Sequence, residues 1–570
     1  MTTGSTKSRA SKRTRAGQKA KSANNRPLKG EASARGAKAG NGVAQIDDSP
    51  LLSARGWQIA SIAILAVALL LRLYDISLIP FHHDEGVNGN FLVRLAREGV
   101  YHYDPANYHG PTLYYFALVA ARTFGLNDFA VRLVPALFGV ATIWLVLNLR
   151  RRIGEVGALT AAALITVSPG AVYLSRYFIH ETLFVFFTLG IVYAVLRYYE
   201  EARPVYLFLA SISAALLFAT KETAMISVGV LIIALITTSL YMLLRKSPGI
   251  DEELAARREI RAEDYWKEES EPERLARFGG LNFVLLWSLI AVVLFVIVYT
   301  LFYSSFFTNW PKGFYDSLKT FQFWLKTGVE QHVHSWDTYL LWLQQEEAPI
   351  YVLGIVGSVW AVLKGRNRFA IFTGQWALGL LAAYSMVRYK TPWLTLNFII
   401  PLAIIGGYAV QTLYEWCRNN QQRALVLTAA LAAVAVCAYQ TFQLNFRYYD
   451  DDRYAYVYAH TKRDLLAMMK EIERAAKRAG TNYDTGITIT SPDYWPLPWY
   501  LRDYKHVGYF AQMTTTSEPI VIGRLDQDAQ LNTMLGHTHQ RISSGLTPTG
   551  AYTLRPGAEI VLYIRRDLKQ

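Results

Sequence analysis

Eleven runs of about 20 mostly apolar residues divide the chain, and this feature restricts its fold more than any other. A helix needs about 20 such residues to cross the hydrocarbon core of a bilayer. Within that core only helices and closed barrels satisfy all of their backbone hydrogen bonds. The sequence therefore predicts an all-α polytopic membrane domain. The runs lie near residues 57–74, 129–149, 155–173, 179–198, 204–219, 223–244, 281–302, 348–363, 369–387, 393–413 and 424–441.

Basic residues in alternate loops predict the orientation of these helices. Arg150, Arg151 and Arg152 follow the second run, and Lys or Arg also follow the fourth, sixth, eighth and tenth runs. Short cytoplasmic loops are enriched in Lys and Arg, so these loops are expected inside the cell. Because the number of runs is odd, we expect a multi-pass protein of the plasma membrane with its N-terminus in the cytoplasm and its C-terminus outside.

The first 55 residues are basic and poor in large apolar side chains. They hold twelve Lys or Arg against three acids, which is +9 of the net charge of +14. Such a segment cannot bury enough surface to fold, so residues 1–55 are predicted to be a disordered cytoplasmic tail. A patch for anionic lipid or an arm for nucleic acid is the alternative. We prefer a tail that fixes topology, and we expect no nucleic-acid partner.

The remaining chain falls into two predicted domains. Residues 56–443 form the membrane domain, with long outer loops at 75–128 and 303–347. Residues 444–570 form a small α/β domain outside the membrane, because a helical stretch at 461–479 precedes several β-branched runs. Those runs lie at 487–490, 519–522 and 559–564.

Ionisable residues at membrane depth are costly, which makes them functional candidates. The first group, His82, His83, Asp84 and Glu85, directly follows the first run. Carboxylates beside histidines can supply a general base or bind a metal ion. The alternative is a polar loop in which Asp84 caps a helix that starts at Gly86.

Three further groups occupy predicted outer helix ends. Their cations suit a phosphate head group, and a carboxylate opposite them suits deprotonation of an acceptor. A phosphate leaving group and an activated nucleophile together make a transferase site. The alternative is that these residues form surface ion pairs, or that their long side chains extend to the membrane–water interface. The groups are Arg176 with Glu181, Lys221 with Glu222, and Arg388 with Lys390.

His332 and His334 alternate in the second outer loop, where they are candidates for binding a divalent metal ion. Two histidines fall short of the three or four ligands that such sites usually have. The alternative is a pair of hydrogen-bonded loop residues. Glu346 and Glu347, at the start of the eighth run, are weaker candidates.

The order of these motifs resembles the GT-C superfamily of membrane glycosyltransferases, near the protein O-mannosyltransferases and aminoarabinose transferases. The resemblance covers residues 57–413. Asp84-Glu85, residues 128–135, Ser168-Pro169 and Lys221 support it. Residues 82–85, 176–181 and 388–393 are most similar to a prokaryotic subfamily named for an association with flippase activity in archaeal glycosylation.

The resemblance implies transfer of a sugar from a polyprenyl-phosphate donor to a glycan, lipid or protein acceptor outside the cytoplasm. It implies inversion at the anomeric carbon, with Asp84 as the base that activates the acceptor hydroxyl. Arg388, Lys390 and Lys221 would hold the donor phosphate. His82 and His83 are not general to the superfamily, and they leave a metal role open.

A non-catalytic factor or transporter that moves lipid-linked sugars is the alternative function. Transporters of that kind place charged sites near the middle of the membrane, between inverted repeats. The sequence has no evident inverted repeat, and the centres of the runs are nearly free of charge. A simple membrane anchor for the C-terminal domain would need only one span. A glycosyltransferase therefore remains the leading hypothesis.

Overall fold

The computed structural model describes residues 52–107, 109–245, 275–327, 333–365 and 367–568. Nearly all of the predicted tail and the candidate His332 lie outside these residues. Twenty α-helices are defined in the described part of the chain. They are α1 Ala54–Leu73, α2 His83–Glu98, α3 Thr112–Phe124, α4 Asp128–Leu147, α5 Arg150–Ile153, α6 Glu155–Thr166, α7 Pro169–Ser175, α8 Glu181–Glu201, α9 Pro204–Phe218, α10 Ala224–Leu244, α11 Leu281–Tyr303, α12 Lys312–Thr327, α13 Thr338–Glu346, α14 Ala348–Lys364, α15 Arg368–Met386, α16 Leu396–Trp416, α17 Asn420–Phe442, α18 Asp464–Arg478, α19 Leu497–Tyr500 and α20 Asp528–Leu535.

Each of the eleven predicted runs coincides with an apolar helix. Among the described residues, eight helices are long and apolar enough to cross a membrane, or ten if two bent helix pairs each count as one span. The remaining predicted span is α9, which has 15 residues and is shorter than a bilayer requires without tilt or thinning. The predicted multi-pass helical membrane fold is confirmed.

The two bent pairs have local causes in the sequence. Between α6 and α7 the chain turns by 57° at Ser168-Pro169, where Ser168 caps α7 and Pro169 cannot continue α6. Between α13 and α14 it turns by 116° at Glu347. The Glu347 carboxylate accepts hydrogen bonds from the Ser168 hydroxyl and the Gly170 amide, so the two bends meet.

Helix α16 forms the centre of the bundle. Almost every residue between Leu396 and Val410 is buried, and α16 packs on α6, α14 and α15. Helices α1 and α11 instead expose apolar side chains along most of their length, as lipid-facing helices do.

The C-terminal region folds as a mixed sheet covered by α18, as the β-branched runs predict. The parallel strands β1 and β2 and the parallel pair β1 and β3 form one side, and β6 pairs antiparallel with β3, β4 and β5. Leu465, Met468 and Ile472 of α18 pack on the buried isoleucines of β1 and β3. The strands are β1 Ile487–Ile489, β2 Val507–Tyr509, β3 Ile520–Arg524, β4 His539–Ile542, β5 Tyr552–Arg555 and β6 Ala558–Arg565.

Candidate active site

The first motif forms the N-terminal turn of α2, which begins at His83. His82 is the N-cap: its Nδ1 accepts a hydrogen bond from the Asp84 amide at 3.1 Å. The Glu85 carboxylate accepts one from the His82 amide at 3.0 Å, which completes a capping box. The alternative in which Asp84 caps a helix starting at Gly86 is wrong, because the helix starts three residues earlier, at His83, and His82 is its N-cap.

The hydrogen bonds of His82 define its tautomer. Since Nδ1 accepts a hydrogen bond from an amide, Nε2 carries the ring proton and donates a hydrogen bond to the Tyr458 carbonyl, 2.9 Å away. Burial lowers the pKa of His82 more than the nearby Asp84 carboxylate raises it. His82 is therefore a neutral ring that positions the α2 N-terminus beside Asp84.

Glu85 is fully buried, and both of its carboxylate oxygens accept hydrogen bonds. Arg132 of α4 donates to both carboxylate oxygens at 2.7 and 2.6 Å, and the Phe178 and His82 amides donate as well. Arg132 also donates to the Ile76 and Ile79 carbonyls, which fastens the chain between α1 and α2. With four N–H donors around it and no exposure, Glu85 has no room for a substrate and acts as a positioning residue.

Asp84 has the opposite environment. Its side chain is 38% exposed, and its nearest basic neighbour is the neutral His82 ring at 3.9 Å. Within the described chain, no side chain donates a hydrogen bond to its carboxylate. A negatively charged group at a helix N-terminus is stabilised by the helix dipole. Asp84 is thus a carboxylate with open lone pairs, available to accept a proton from a bound molecule.

The C-terminal domain packs directly against this turn. The His83 ring lies 6.0 Å from the Trp495 ring. Arg555 bonds both the Trp495 carbonyl and the Asp493 carboxylate, so the loop before α19 is held in place. The helical turn that carries Asp84 therefore lies next to the contact between the two domains.

Aromatic rings surround His82 on its buried side. The rings of Tyr177, Trp393 and His460 lie 5.2, 6.3 and 4.7 Å from it. The Tyr177 hydroxyl and His460 Nδ1 are buried without a hydrogen-bond partner. Trp393 belongs to the fourth sequence motif and Tyr177 to the second, so the rings join three of the four predicted groups.

The third motif is organised around Lys221. Its ammonium contacts the Glu181 carboxylate at 2.5 Å, and the neighbouring Glu222 pairs with His109 at 3.1 Å. Burial acts to lower the pKa of Lys221, but the two carboxylates outweigh it and raise the pKa above its usual value. The Phe178 amide, three residues before Glu181, donates to the Glu85 carboxylate, so this pair lies on the same side of the bundle as the first motif.

Lys390 and Arg388 occupy the segment before Trp393. Lys390 is buried, donates to the Val387 carbonyl at 2.5 Å and lies 5.9 Å from the Tyr339 ring. Among the described residues it forms no ion pair, and burial lowers its pKa. Arg388 is exposed, and its carbonyl accepts a hydrogen bond from the His334 amide. A buried cation without a counter-ion is costly, so Lys390 is well suited to an incoming anion.

Arg176 is placed differently from the expectation. It donates to the Leu71, Tyr74 and Asp75 carbonyls, which are the free acceptors at the C-terminal end of α1. With its guanidinium occupied by backbone, Arg176 fastens α1 to the turn between α7 and α8. This geometry does not support a phosphate-binding role.

Of the candidate metal ligands, His334, His82 and His83 are among the described residues and His332 is not. No group of three or more His, Cys, Asp or Glu in the described ranges is arranged to hold a metal ion. The His334 ring packs on Trp342 at 5.6 Å, and His82 and His83 diverge from one another into the aromatic rings and toward Trp495.

Sequence reasoning missed two residues of the site. Arg132 lies inside an apolar helix, which is a signal for function by itself, but it was noted only as part of the resemblance. His460 follows the last span in a segment without a recognisable pattern, and only the fold brings it to His82.

Comparison with known proteins shows which proteins the chain is similar to. Residues 108–249 match the family model for dolichyl-phosphate-mannose-protein mannosyltransferases. A search of curated proteins finds no match. Among solved structures, ArnT from Cupriavidus metallidurans is similar in its apo form, with 14% identity, a TM-score of 0.54, and coverage of 89% of this chain and 98% of ArnT.

Two further structures give the same fold. ArnT from the same organism bound to undecaprenyl phosphate has 15% identity and a TM-score of 0.55, covering 90% of this chain and 98% of ArnT. The Archaeoglobus fulgidus oligosaccharyltransferase, tethered to an acceptor peptide, has 14% identity and a TM-score of 0.51. It covers 84% of this chain, and 70% of its own length is matched. The chain shares the fold of these solved structures, as the resemblance of its motifs to the GT-C superfamily predicts.

Proposed function

We propose that the chain transfers a sugar from a polyprenyl-phosphate donor to an acceptor hydroxyl on the extracytoplasmic side, with Asp84 as the general base. The observation that carries the proposal is the contrast between the two adjacent carboxylates. Glu85 is buried and fully bonded, whereas Asp84 is partly exposed and accepts no side-chain hydrogen bond in the described chain. The similarity to ArnT bound to undecaprenyl phosphate supports a lipid-phosphate donor.

The proposed reaction is a single displacement. Asp84 takes the proton of the acceptor hydroxyl, the acceptor oxygen bonds to the anomeric carbon, and the bond from that carbon to the phosphate oxygen breaks. Polyprenyl phosphate leaves with the bonding electrons, and the anomeric configuration inverts. Lys390 stabilises the charge that develops on the leaving phosphate, because its ammonium is buried and forms no ion pair with the described residues.

Lys221 and Arg388 have supporting parts in this proposal. Lys221 is neutralised by Glu181 and Glu222, so it contributes less net positive charge than Lys390. Arg388 is exposed at the edge of the site and is placed to meet the donor before Lys390 does.

The test is a cell strain that lacks this chain, complemented with variants, followed by mass spectrometry of its envelope glycoconjugates. Asp84→Asn is expected to lower transfer by about 10²–10⁴-fold, the usual contribution of a general base. Asp104→Asn, an exposed carboxylate change in the same outer loop, is the matched control and should restore transfer fully.

Full transfer by Asp84→Asn would rule out the proposed base. If wild-type protein in vesicles moves labelled lipid-linked sugar across the bilayer and yields no transfer product, the chain is a translocation factor and the enzymatic proposal fails.

A further inference from the structure

A cavity of about 490 Å³ lies between α1, α4 and α8, far from the candidate active site. Trp57 and Ser61 line it from the first turns of α1, and Asn148 lines it from the end of α4. Asp84 instead follows the opposite end of α1. Trp57 and Leu65 of the lining lie 16 and 8 helical residues before the end of α1 at Leu73, or about 24 and 12 Å at 1.5 Å per residue, so the cavity lies toward the other face of the membrane. We call it the Arg150 cleft.

Cations without carboxylate partners form one wall of the Arg150 cleft. Arg150 lies with its guanidinium 4.7 Å above the Trp57 ring, and Arg151 is exposed beside it. In the described part of the chain neither arginine has a carboxylate within ion-pair distance. The neighbouring Arg152 and Arg197, in contrast, both pair with Glu200. The cleft therefore presents two uncompensated positive charges.

Ser61 adds a polar side chain to the lining of the cleft. Its hydroxyl is buried and has no hydrogen-bond partner among the described residues. An unmet donor beside two free guanidinium groups suits the oxygens of a phosphate, which accept several hydrogen bonds at once.

The other wall of the cleft is apolar and open to the bilayer. Ile62 is 66% exposed and Trp144 is 50% exposed, and both lie at membrane-spanning positions of α1 and α4. Leu65 continues this surface one turn deeper. A free phosphate ion would leave this apolar wall unfilled, whereas an acyl chain would cover it.

We propose that the Arg150 cleft binds an anionic glycerophospholipid from the surrounding leaflet, with its phosphate on Arg150, Arg151 and Ser61 and an acyl chain along Ile62 and Trp144. Basic loops mark this end of the bundle as cytoplasmic, and the cytoplasmic leaflet is the one that carries anionic lipid.

The experiment is native mass spectrometry of the full chain in detergent, titrated with phosphatidylglycerol, with phosphatidylcholine of the same chain length, and with inorganic phosphate. Wild-type protein should retain phosphatidylglycerol at least tenfold more tightly than phosphatidylcholine. The Arg150→Gln/Arg151→Gln variant should lose that preference. The matched control, Arg368→Gln/Arg418→Gln, removes two exposed arginines at the same end of the bundle and should keep it.

A second variant separates binding from folding. Leu65→Trp fills the cleft without changing charge, and it should weaken phosphatidylglycerol binding by a similar factor while the lipid-free melting temperature stays close to that of wild type. Equal loss in the cleft and control variants would mean general attraction of charges and would overturn the proposal. Displacement of phosphatidylglycerol by inorganic phosphate at equal concentration would overturn the lipid assignment.

Discussion

The neighbouring carboxylates of Asp84 and Glu85 have different environments because both lie on the first turn of a helix. Successive residues of an α-helix point about 100° apart, so Glu85 faces α4 and Arg132 while Asp84 remains partly exposed. The different environments of the two acids therefore follow from the geometry of the helical turn.

Substitution of Glu85 should affect stability before it affects chemistry. Glu85→Gln keeps the shape of the side chain but leaves the Arg132 charge buried and uncompensated. Removal of one partner from a buried pair costs about 3–5 kcal/mol, so we expect a clear drop in melting temperature. Thermal unfolding of the purified protein in detergent measures it.

The adjacent residue provides the control. Asp84→Asn changes a half-exposed carboxylate outside any ion pair with a charged base, and surface changes of that kind stay within about 0.5 kcal/mol. Equal melting temperatures for Glu85→Gln and wild type would contradict the positioning role of Glu85.

The limits of sequence reasoning at this scale are clear from the cations. Arg176, Lys221 and Lys390 look alike in the sequence, since each interrupts apolar runs at a predicted outer end. In the fold Arg176 donates to backbone carbonyls of another helix, Lys221 pairs with a carboxylate, and Lys390 donates to a carbonyl of its own segment. The partners of Arg176 and Lys221 lie 105 and 40 positions away in the chain, and no local pattern encodes such contacts.

At the scale of helices and strands, the hydrophobic pattern predicted most of the fold. The apolar runs coincide with helices, and the β-branched runs at 487–490, 519–522 and 559–564 coincide with β1, β3 and β6. The short strands β2, β4 and β5 were not predicted, because three or four residues give too short a periodic signal. The contact of the C-terminal domain with α2 could not be predicted from the sequence either, since it depends on tertiary packing alone.

That contact requires glycine on one face of α2. A Cβ atom at Gly89 would come within 2.6 Å of the Trp499 ring. This ring cannot yield, because it stacks on Phe81 at 4.5 Å and donates to the Asp128 carboxylate. We expect Gly89→Ala to destabilise the protein by about 1–3 kcal/mol through overpacking. Thermal unfolding and limited proteolysis of the C-terminal domain measure the effect.

Gly229 is the matched control, because a Cβ atom there meets nothing within 4 Å. Gly229→Ala sits inside α10 and should be neutral or stabilising by up to about 1 kcal/mol, as expected from helix propensity. If Gly89→Ala is as stable as Gly229→Ala, the C-terminal domain does not pack on α2 as described.

On the scale of the whole molecule, the two ends of the bundle differ in chemistry. The end near Asp84 holds buried acids, histidines and Lys390, whereas the other end holds Arg150 and Arg151, none of these three cations forming an ion pair with the described residues. From the odd number of predicted spans we expect the C-terminal domain, which packs beside Asp84, to lie outside the cell. The active site and the domain that covers it would then face the same compartment.

Cysteine labelling tests this topology. In a variant without Cys417 and Cys437, Gln530→Cys places a thiol on the exposed α20 of the C-terminal domain. Gln421→Cys places one at the exposed start of α17, in a predicted cytoplasmic loop. A membrane-impermeant maleimide should label Gln530→Cys in intact cells and Gln421→Cys only after permeabilisation. The reverse pattern would invert the orientation and remove the site from the extracytoplasmic side.

The proposed glycosyl transfer is tested most directly by a structure of the full chain with a bound polyprenyl monophosphate, the leaving group of the reaction. We expect the phosphate to bind the Lys390 ammonium in place of the Val387 carbonyl, on the side of the bundle that holds Asp84. A phosphate bound elsewhere, with Lys390 still on the Val387 carbonyl, would contradict the proposed donor site.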